Sequence, residues 1–256
     1  MKGDLGAYST EEFKNRLATE IKIAIAPPNI APTSTPRAIL LGGQSGAGKT
    51  TLHQICKRKL DGNAIIINGD EFRSSHPRFQ ALHRAFGDKS VDNTAPWAGR
   101  MTEALIDSLS RIGYNLIIEG TLRTAEVPLK TAELLRQRGY GVSLALMAVK
   151  PEISLVSCQI RYEEMRVAGT TPRATDPAHH NKIIDQIVSN LGTLETSGMF
   201  DEIALYDRSQ TCLFPREGAD DNAEEALRTI LFGPWTPEER RHYNELKAKL
   251  NYLKTK

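Results

Sequence analysis

Cysteine is scarce in this sequence, and the cysteines that occur lie far apart. There are three, Cys56, Cys158 and Cys212, so their number is odd and no two of them form a CxxC pair. The six histidines add no spacing that is typical of a metal site. We therefore expect neither a disulfide framework nor a structural zinc site, but three small buried apolar residues in a reducing compartment.

An excess of charge of one sign is also missing. Lysine and arginine number 33 and aspartate and glutamate 31, which leaves a formal net charge of +2. Proteins held by nucleic-acid phosphates usually carry a strong basic excess, so we expect no nucleic-acid partner and disfavour a polynucleotide kinase. No apolar run approaches bilayer length, and the first residues lack a signal-peptide pattern. The sequence therefore predicts a cytoplasmic protein without membrane contact.

What the sequence does contain is a regular alternation of short apolar runs and helical patterns. The apolar runs fall at 38–41, 64–67, 114–118, 141–149 and 202–206. Strands that alternate with helices form a parallel sheet covered on both faces. We predict a single α/β domain over residues 1–256, with a mostly parallel sheet flanked by helices on both faces and accessory helices at the N- and C-terminal ends.

The accessory segments are predicted from their own local patterns. Ser9 and Glu12 have the spacing of a capping box, which begins a helix over 9–25. The proline-, serine- and threonine-rich segment 26–36 is interpreted as a linker. A charged helix over 236–256 has few apolar positions, so we expect it to pack on the surface through one narrow stripe.

A polar stretch precedes the helix that carries Met101, Leu105 and Leu109 on one face. We expect this stretch, which runs through Ala95 and Pro96, to lie outside the helix because proline disfavours a helix interior. Glu103 lies off the apolar face of the same helix. It is expected to be solvated unless it points into a pocket.

A phosphate-binding loop stands between the first apolar run and the helix after it. Gly43, Gly48, Lys49 and Thr50 meet the pattern G-x-x-x-x-G-K-T. Glycines let successive backbone N–H groups turn inward to cradle phosphate oxygens, and the following helix directs its positive end at them. Lys49 then reaches the outer phosphates and the Thr50 hydroxyl ligates Mg²⁺. This predicts a P-loop kinase-like fold that binds a nucleoside triphosphate through Gly43, Gln44, Ser45, Gly46, Ala47, Gly48, Lys49, Thr50 and Thr51.

Two acidic residues follow the second and third apolar runs, at the end of the sheet where ligands gather in such folds. Asp70 could accept the proton of an attacking hydroxyl, although aspartate is also an ordinary turn residue there. Beside a phosphate loop we favour Asp70 as the general base. Glu119 could orient a water on Mg²⁺ or bind substrate hydroxyls, and its structural alternative is an ion pair with Arg123.

Arginines further along the chain are candidates for stabilising a transferred phosphoryl group. Arg161 and Arg173 flank a glycine- and threonine-rich segment that could form a lid, and cations there offset developing negative charge. Arg161 could instead pair with Glu164 on the helix surface, and Arg166 could supply the second charge. Spacing alone leaves the choice among these arginines open.

Taken together, these segments resemble the zeta toxins of epsilon–zeta toxin–antitoxin systems. The resemblance runs from about Ser9 to Phe232 and is carried by LGGQSGAGKT (41–50), GDEFRSSHP (69–77), IEGTLRT (118–124) and IRYEE (160–164). Several collinear matches are more specific than one phosphate loop. The charged tail beyond Thr236 matches poorly and has no functional assignment.

This resemblance implies an ATP- and Mg²⁺-dependent kinase acting on UDP-N-acetylglucosamine. The family phosphorylates the 3′-hydroxyl of the amino sugar, which blocks peptidoglycan synthesis, and is restrained by a small helical antitoxin of the epsilon type. On matching positions, Lys49 and Thr50 serve ATP and Mg²⁺, Asp70 is the base, and Arg161 and Arg173 stabilise the phosphoryl group. The sugar-nucleotide pocket is implied to consist of Glu103, Glu119, Thr121, Arg123 and Thr131.

Other functions for the same loop remain open at this point. A phosphotransferase for another small hydroxyl acceptor, such as an antibiotic or a metabolite, would share the fold. A non-catalytic ATP-binding regulator would bind nucleotide without turnover. A switch GTPase is disfavoured, because its N-K-x-D motif would place aspartate where this chain has Ile184.

Overall fold

A computed structural model describes residues 5–170, 172, 174–216 and 222–256 of the chain. Its strands form one sheet, and they are β1 (Arg37–Gly42), β2 (Ile65–Asn68), β3 (Leu116–Glu119), β4 (Gly141–Met147), β5 (Glu202–Tyr206) and β6 (Cys212–Phe214). The strand order is β2-β3-β1-β4-β5-β6. The first five strands pair in parallel, and β6 pairs antiparallel with β5. The predicted mostly parallel α/β sheet is confirmed.

Helices cover the sheet on both faces. They are α1 (Thr10–Ile25), α2 (Lys49–Lys59), α3 (Phe79–Phe86), α4 (Ser90–Ser110), α5 (Glu126–Gln137), α6 (Pro151–Val167), α7 (Pro177–Thr196), α8 (Ala223–Phe232) and α9 (Pro237–Lys254). Side chains alternate along a strand, so β1 serves two cores. Leu40 packs in the core with α4, α5, α7 and α8, whereas Ile39 and Leu41 pack in the core with α2 and the start of α6. Central strand β1 is thus buried on both faces.

The connection order of the strands fixes where a ligand can bind. Strand β1 lies between β3 and β4. The chain runs from β1 toward β2 at one edge of the sheet and later from β3 toward β4 and β5 on the other side, so the direction of the connections reverses at β1. In open α/β sheets the crevice beyond the carboxyl ends of the strands at such a point binds ligands. The segment after β1 is the predicted phosphate loop, and Glu119 is the last residue of β3.

Helix α4 begins earlier than predicted. It starts at Ser90 and contains Pro96, so the expectation that the stretch through Ala95 and Pro96 is non-helical is wrong. Proline in a helix interior costs about 3 kcal/mol. Burial of Trp97 offsets that cost, because its ring contacts Tyr8 and Phe13 edge-on and its Nε1 donates to Ser75 Oγ at 3.0 Å. Tertiary packing outweighs local preference here.

Both terminal helices begin as their patterns indicate. Ser9 Oγ accepts from the Glu12 N–H at 3.0 Å, and the Glu12 carboxylate accepts from the Ser9 N–H at 2.7 Å, which confirms the capping box. Helix α9 has Thr236 as its N-cap and packs a narrow apolar stripe on α6. The stripe consists of Tyr243, Leu246, Leu250 and Leu253.

One cysteine is more exposed than predicted, and the structure contains elements for which there was no prediction. Cys56 and Cys158 are buried and free as expected, but Cys212 is free and exposed because it lies on edge strand β6. Strand β6 and helices α3 and α8 carried no separate prediction, since each is short or follows an irregular segment. Among the described residues, no helix combines the length and hydropathy that crossing a bilayer requires.

Candidate active site

The loop between β1 and α2 adopts a conformation that only glycine allows at its key positions. Gly43, Gly46 and Gly48 have φ of +128°, +77° and +100°. A Cβ on Gly46 would lie 2.1 Å from the carbonyl oxygen of Ser154, so the loop also lies directly against α6. Left-handed glycines alternating with other residues turn successive N–H groups toward one side and form an anion cradle. These residues therefore fit the phosphates of a nucleotide.

Gln44 holds this loop to the helices behind it. Its fully buried side chain donates from Nε2 to the carbonyl oxygen of Val149 at 2.8 Å and to Ser154 Oγ at 3.1 Å. Ser154 Oγ in turn lies 2.8 Å from His180 Nε2 on α7. Gln44 therefore meets a nucleotide only through its backbone, and its predicted role in nucleotide binding stays a prediction.

Lys49 lies inside the loop. Its Nζ donates to the carbonyl oxygen of Gly43 at 2.9 Å and is 3.8 Å from Glu119 Oε1. Burial lowers the pKa of Lys49, and the carboxylates of Glu119 and Asp70 counteract that shift while Arg161 adds to it. Glu119, Asp70 and Arg161 therefore each lie within electrostatic reach of the Lys49 ammonium.

Glu119 contacts a residue that the sequence interpretation missed. Its Oε2 lies 2.7 Å from His53 Nε2, and both side chains are about 15% exposed. Among the described residues the side chains of His53 and Lys49, and not that of Arg123, lie within 4 Å of the Glu119 carboxylate, so the alternative pairing with Arg123 is wrong. His53 lies one helical turn after Lys49, on the same face of α2. That spacing is the signal that could have found it.

Asp70 stands just after β2, before a short 3-10 helix (Glu71–Ser75). Its side chain is 66% exposed, and Oδ1 accepts from Arg73 Nε at 2.9 Å. Arg73 also donates from Nη1 to the carbonyl oxygen of Val91 at 2.7 Å, which fixes the guanidinium against α4. The carboxylate of Asp70 is therefore oriented on one side by Arg73 and open to solvent on the other, as a proton acceptor must be.

Two of the candidate phosphoryl-stabilising cations, Arg161 and Arg166, lie among the described residues. Arg161 is exposed on α6, and its Nη2 donates to Thr175 Oγ1 at 3.4 Å. Arg173 lies outside the described residues. Arg166 bonds to Glu163 at 2.6 Å and to the carbonyl oxygen of Leu253 at 3.0 Å, so its guanidinium is occupied against α9.

The alternative partner considered for Arg161 is occupied elsewhere. Glu164 pairs with Lys249 of α9, with Nζ 2.7 Å from Oε1. The guanidinium of Arg161 reaches instead to Thr175, beyond the end of its own helix. The helix-surface pairing of Arg161 with Glu164 is therefore not formed.

The residues implied for the sugar-nucleotide pocket lie on α4, on α5 and after β3. Glu103 is exposed on α4. The hydrogen bond and the charge of Glu126 raise the pKa of Lys130, the neighbour of Thr131 on α5, and the charge of Glu103 adds to that shift. Thr131 Oγ1 donates to the carbonyl oxygen of Val127 at 2.9 Å. Thr121 is half-buried and Arg123 exposed in the segment after β3. Their role in substrate binding stays a prediction.

The position of Thr50 fits a magnesium ion. It is the second residue of α2 and is exposed beside Lys49. Mg²⁺ keeps several waters and is usually held by one or two protein oxygens together with substrate phosphates. The described residues contain no group of three or more His, Cys, Asp or Glu that could hold a metal by itself.

The fold and the site together define a P-loop kinase. The sheet is mostly parallel, and a glycine-lined phosphate loop follows its central strand. A buried lysine begins the next helix, and acidic residues stand at the ends of two neighbouring strands. The comparisons with known proteins then give the family. The zeta toxin family model matches residues 24–219.

Curated relatives agree with that match. Toxin PezT of Streptococcus pneumoniae serotype 4 is 42% identical over 247 residues, covering 96% of this chain and 97% of its own. Toxin zeta of Streptococcus pyogenes is 38% identical over 208 residues, covering 81% of this chain and 72% of its own. The chain belongs to the zeta toxin family, whose members are toxin kinases of toxin–antitoxin systems.

A solved structure extends the likeness to the whole chain. A chain of the PezAT chromosomal toxin–antitoxin system of Streptococcus pneumoniae superposes with a TM-score of 0.89 at 40% identity, covering 98% of this chain and 99% of the other. A match that covers this much includes most of the charged tail beyond Thr236. The tail lies beyond the residues that the family model matches, as expected, yet α9 is part of the structure that these two proteins share.

Proposed function

We propose that this toxin kinase transfers the γ-phosphoryl group of ATP to the 3′-hydroxyl of the amino sugar of UDP-N-acetylglucosamine, and so blocks synthesis of peptidoglycan precursors. The observation that carries the proposal is that Lys49 Nζ lies 3.8 Å from Glu119 Oε1, with Asp70 and Arg161 within electrostatic reach of the same ammonium. The cytoplasm, where such a precursor is made, is the proposed location of the protein.

On the nucleotide side, the loop residues Gly43–Thr51 would hold the phosphates through backbone N–H groups. The buried ammonium of Lys49 exchanges its bond to the carbonyl oxygen of Gly43 for phosphate oxygens, because a charged partner gives the stronger hydrogen bond. Mg²⁺, bound with the Thr50 hydroxyl as a protein ligand, would offset the negative charge of the phosphates.

On the acceptor side, Asp70 would accept the proton of the sugar hydroxyl. The hydroxyl oxygen then forms a bond to the γ-phosphorus as the bond to the ADP leaving group breaks, and the proton stays on the carboxylate until it is lost to solvent. Asp70 is suited to this role because its side-chain partner among the described residues, Arg73, occupies Oδ1 and leaves Oδ2 available.

The remaining candidates would orient the two substrates. Arg161, with Arg173 as its proposed counterpart, would stabilise negative charge that develops on the transferred group. Glu103, Glu119, Thr121, Arg123 and Thr131 would bind the sugar nucleotide. Carboxylates suit this task because they accept hydrogen bonds from sugar hydroxyls.

A protein partner is also proposed. The similar solved chain comes from the PezAT toxin–antitoxin system. We propose that a small helical antitoxin of the epsilon type binds this chain and obstructs the nucleotide site.

The test is purified protein incubated with Mg²⁺, ATP and UDP-N-acetylglucosamine, followed by mass spectrometry of the nucleotides. We expect a species one phosphate heavier than the sugar nucleotide, and its absence with Lys49→Ala. ADP without that species would contradict the proposed acceptor and favour another small hydroxyl compound. Bound ATP without any turnover would contradict catalysis and favour a regulator.

A further inference from the structure

The outer face of the phosphate loop has its own binding partner. A loop that turns N–H groups toward phosphates turns carbonyl groups the other way, and buried carbonyl groups need donors. Arg208 supplies them at two successive positions. Its Nε donates to the carbonyl oxygen of Ala47 at 3.0 Å, and its Nη2 donates to that of Gly46. Arg208 follows β5 and lies 161 residues beyond Ala47 in the chain.

The guanidinium of Arg208 is itself held in place by two helices. Nη2 also donates to Ser157 Oγ on α6 at 2.9 Å, and Nη1 lies 3.5 Å from His242 Nε2 on α9. Burial lowers the pKa of Arg208, yet a guanidinium stays protonated in proteins. Its side chain also fills the space beside Gly48, since a Cβ there would lie 3.5 Å from Arg208 Cγ.

We propose that Arg208 is a positioning residue for the nucleotide: by binding the carbonyl groups of Gly46 and Ala47, it holds the phosphate loop with its N–H groups toward the phosphates. The inference rests on the proposed function only in that the loop binds ATP. It also gives the region around α9 a role, because His242 and Ser157 fix the guanidinium that fixes the loop.

The side-chain geometry explains why arginine stands here. A planar guanidinium offers several N–H donors in a fixed fork, so one residue can bind two successive carbonyl groups and a hydroxyl at once. Lysine carries a single nitrogen and cannot span the same three acceptors. Arg208→Lys should therefore keep the charge but hold the loop less firmly. Arg208→Met should keep much of the packing but lose every hydrogen bond that positions the loop.

The experiment measures ATP affinity by calorimetry for the full-length wild type, Arg208→Met and Arg208→Lys. We expect the Kd for ATP to rise about tenfold or more in Arg208→Met and by a smaller factor in Arg208→Lys. The affinity for inorganic tripolyphosphate, measured by competition with ATP, should fall by a similar factor, because the substitution alters the loop that binds the phosphates. The KM for the acceptor should stay unchanged. Arg111→Met is the matched control, since Arg111 forms an exposed ion pair with Asp107 at 3.0 Å.

Each outcome decides the inference. A folded Arg208→Met that binds ATP and tripolyphosphate within twofold of wild type would overturn it, as would a lower Tm with unchanged affinity. If Arg208→Met fails to fold, Arg208→Lys supplies the decision by the same comparison. Failure of wild type to phosphorylate UDP-N-acetylglucosamine would leave this binding test intact, whereas failure of wild type to bind ATP would overturn both proposals.

Discussion

The nucleotide side and the acceptor side of the site are built in different ways. The side chains of Lys49 and Glu119 are 10% and 15% exposed and contact each other, the loop carbonyl groups or His53. The side chain of Asp70 is 66% exposed and bonds to Arg73. The phosphate loop on one side is held against α6 and α7, whereas Asp70 on the other is open to solvent and bonds to an arginine that is fixed against α4.

This difference separates preorganisation from access. Charges that are fixed before the substrate arrives need no reorganisation during the reaction, so a rigid phosphate cradle favours transfer. A bulky acceptor must enter and leave, so its binding groups are exposed until it fills the space between them. We infer that substitutions on the nucleotide side change both stability and function, whereas substitutions on the acceptor side change function alone.

Asp70→Asn is the sharpest test of the acceptor side. The amide has the shape of the carboxylate but cannot accept the hydroxyl proton, so we expect kcat to fall by about a hundredfold to ten-thousandfold. Because the side chain is 66% exposed, Tm and the Kd for ATP should stay close to wild type. Steady-state kinetics with UDP-N-acetylglucosamine and a thermal melt measure both.

Glu71→Gln is the matched control for this substitution. Glu71 is the exposed neighbour of Asp70, and its Oε1 accepts from Asn68 Nδ2 at 3.3 Å. We expect it to retain most of the activity. An Asp70→Asn enzyme that keeps full activity would remove Asp70 as the base, and one that loses ATP binding would contradict the separation of the two sides.

Gly46→Ala tests the nucleotide side. Alanine at φ +77° is strained, and its Cβ would lie 2.1 Å from the carbonyl oxygen of Ser154, so loop and helix must separate. The strain and the overlap together should lower the free energy of unfolding by about 2–5 kcal/mol. ATP binding should weaken as well, which urea denaturation and calorimetry would show.

Gly99→Ala provides the comparison for that substitution. Gly99 lies inside α4, and a Cβ there would meet nothing within 4 Å. Alanine should stabilise the helix by up to about 1 kcal/mol. If Gly46→Ala and Gly99→Ala changed the free energy of unfolding equally, the phosphate loop would have to adjust to the added methyl group without cost. That result would contradict a rigid loop.

Local patterns in the sequence predicted most of the fold and the nucleotide side of the site. The strands, the capping box of α1 and the phosphate loop each depend on residues a few positions apart. The predicted start of helix α4 was wrong because that segment is stabilised by Trp97, which packs on Tyr8 and Phe13, far away in the chain. A local pattern contains no record of such a contact.

Arg208 was missed for the same reason, because no spacing rule relates it to a carbonyl 161 residues earlier. His53, which contacts Glu119, differs in that its spacing from Lys49 is a local signal. For the arginine candidates, the sequence offered too many residues rather than too few. Sequence left Arg161 and Arg166 as alternatives, and the structure distinguishes them by their bonds, since Arg166 is occupied by Glu163 and α9.

The smallest expected effect concerns pH and the network behind the phosphate loop. His180 is fully buried, and its Nε2 lies 2.8 Å from Ser154 Oγ, which also accepts from Gln44. Burial lowers the pKa of His180 below its ordinary value of 6.5. The unfolded chain therefore binds more protons than the folded one below pH 6.5, so stability is complete above that pH and falls as pH decreases toward the folded pKa.

His180→Gln should make stability less dependent on pH. Between pH 7.5 and 5.5, the free energy of unfolding of wild type should fall more than that of the variant. Urea denaturation at both pH values measures this difference, with His179→Gln as the exposed neighbouring control. Burial also lowers the pKa of His76, so part of the pH dependence should persist in the variant. An unchanged pH dependence in His180→Gln would show that the network behind the loop does not exclude a proton, and the nucleotide side would then be less rigid than its contacts indicate.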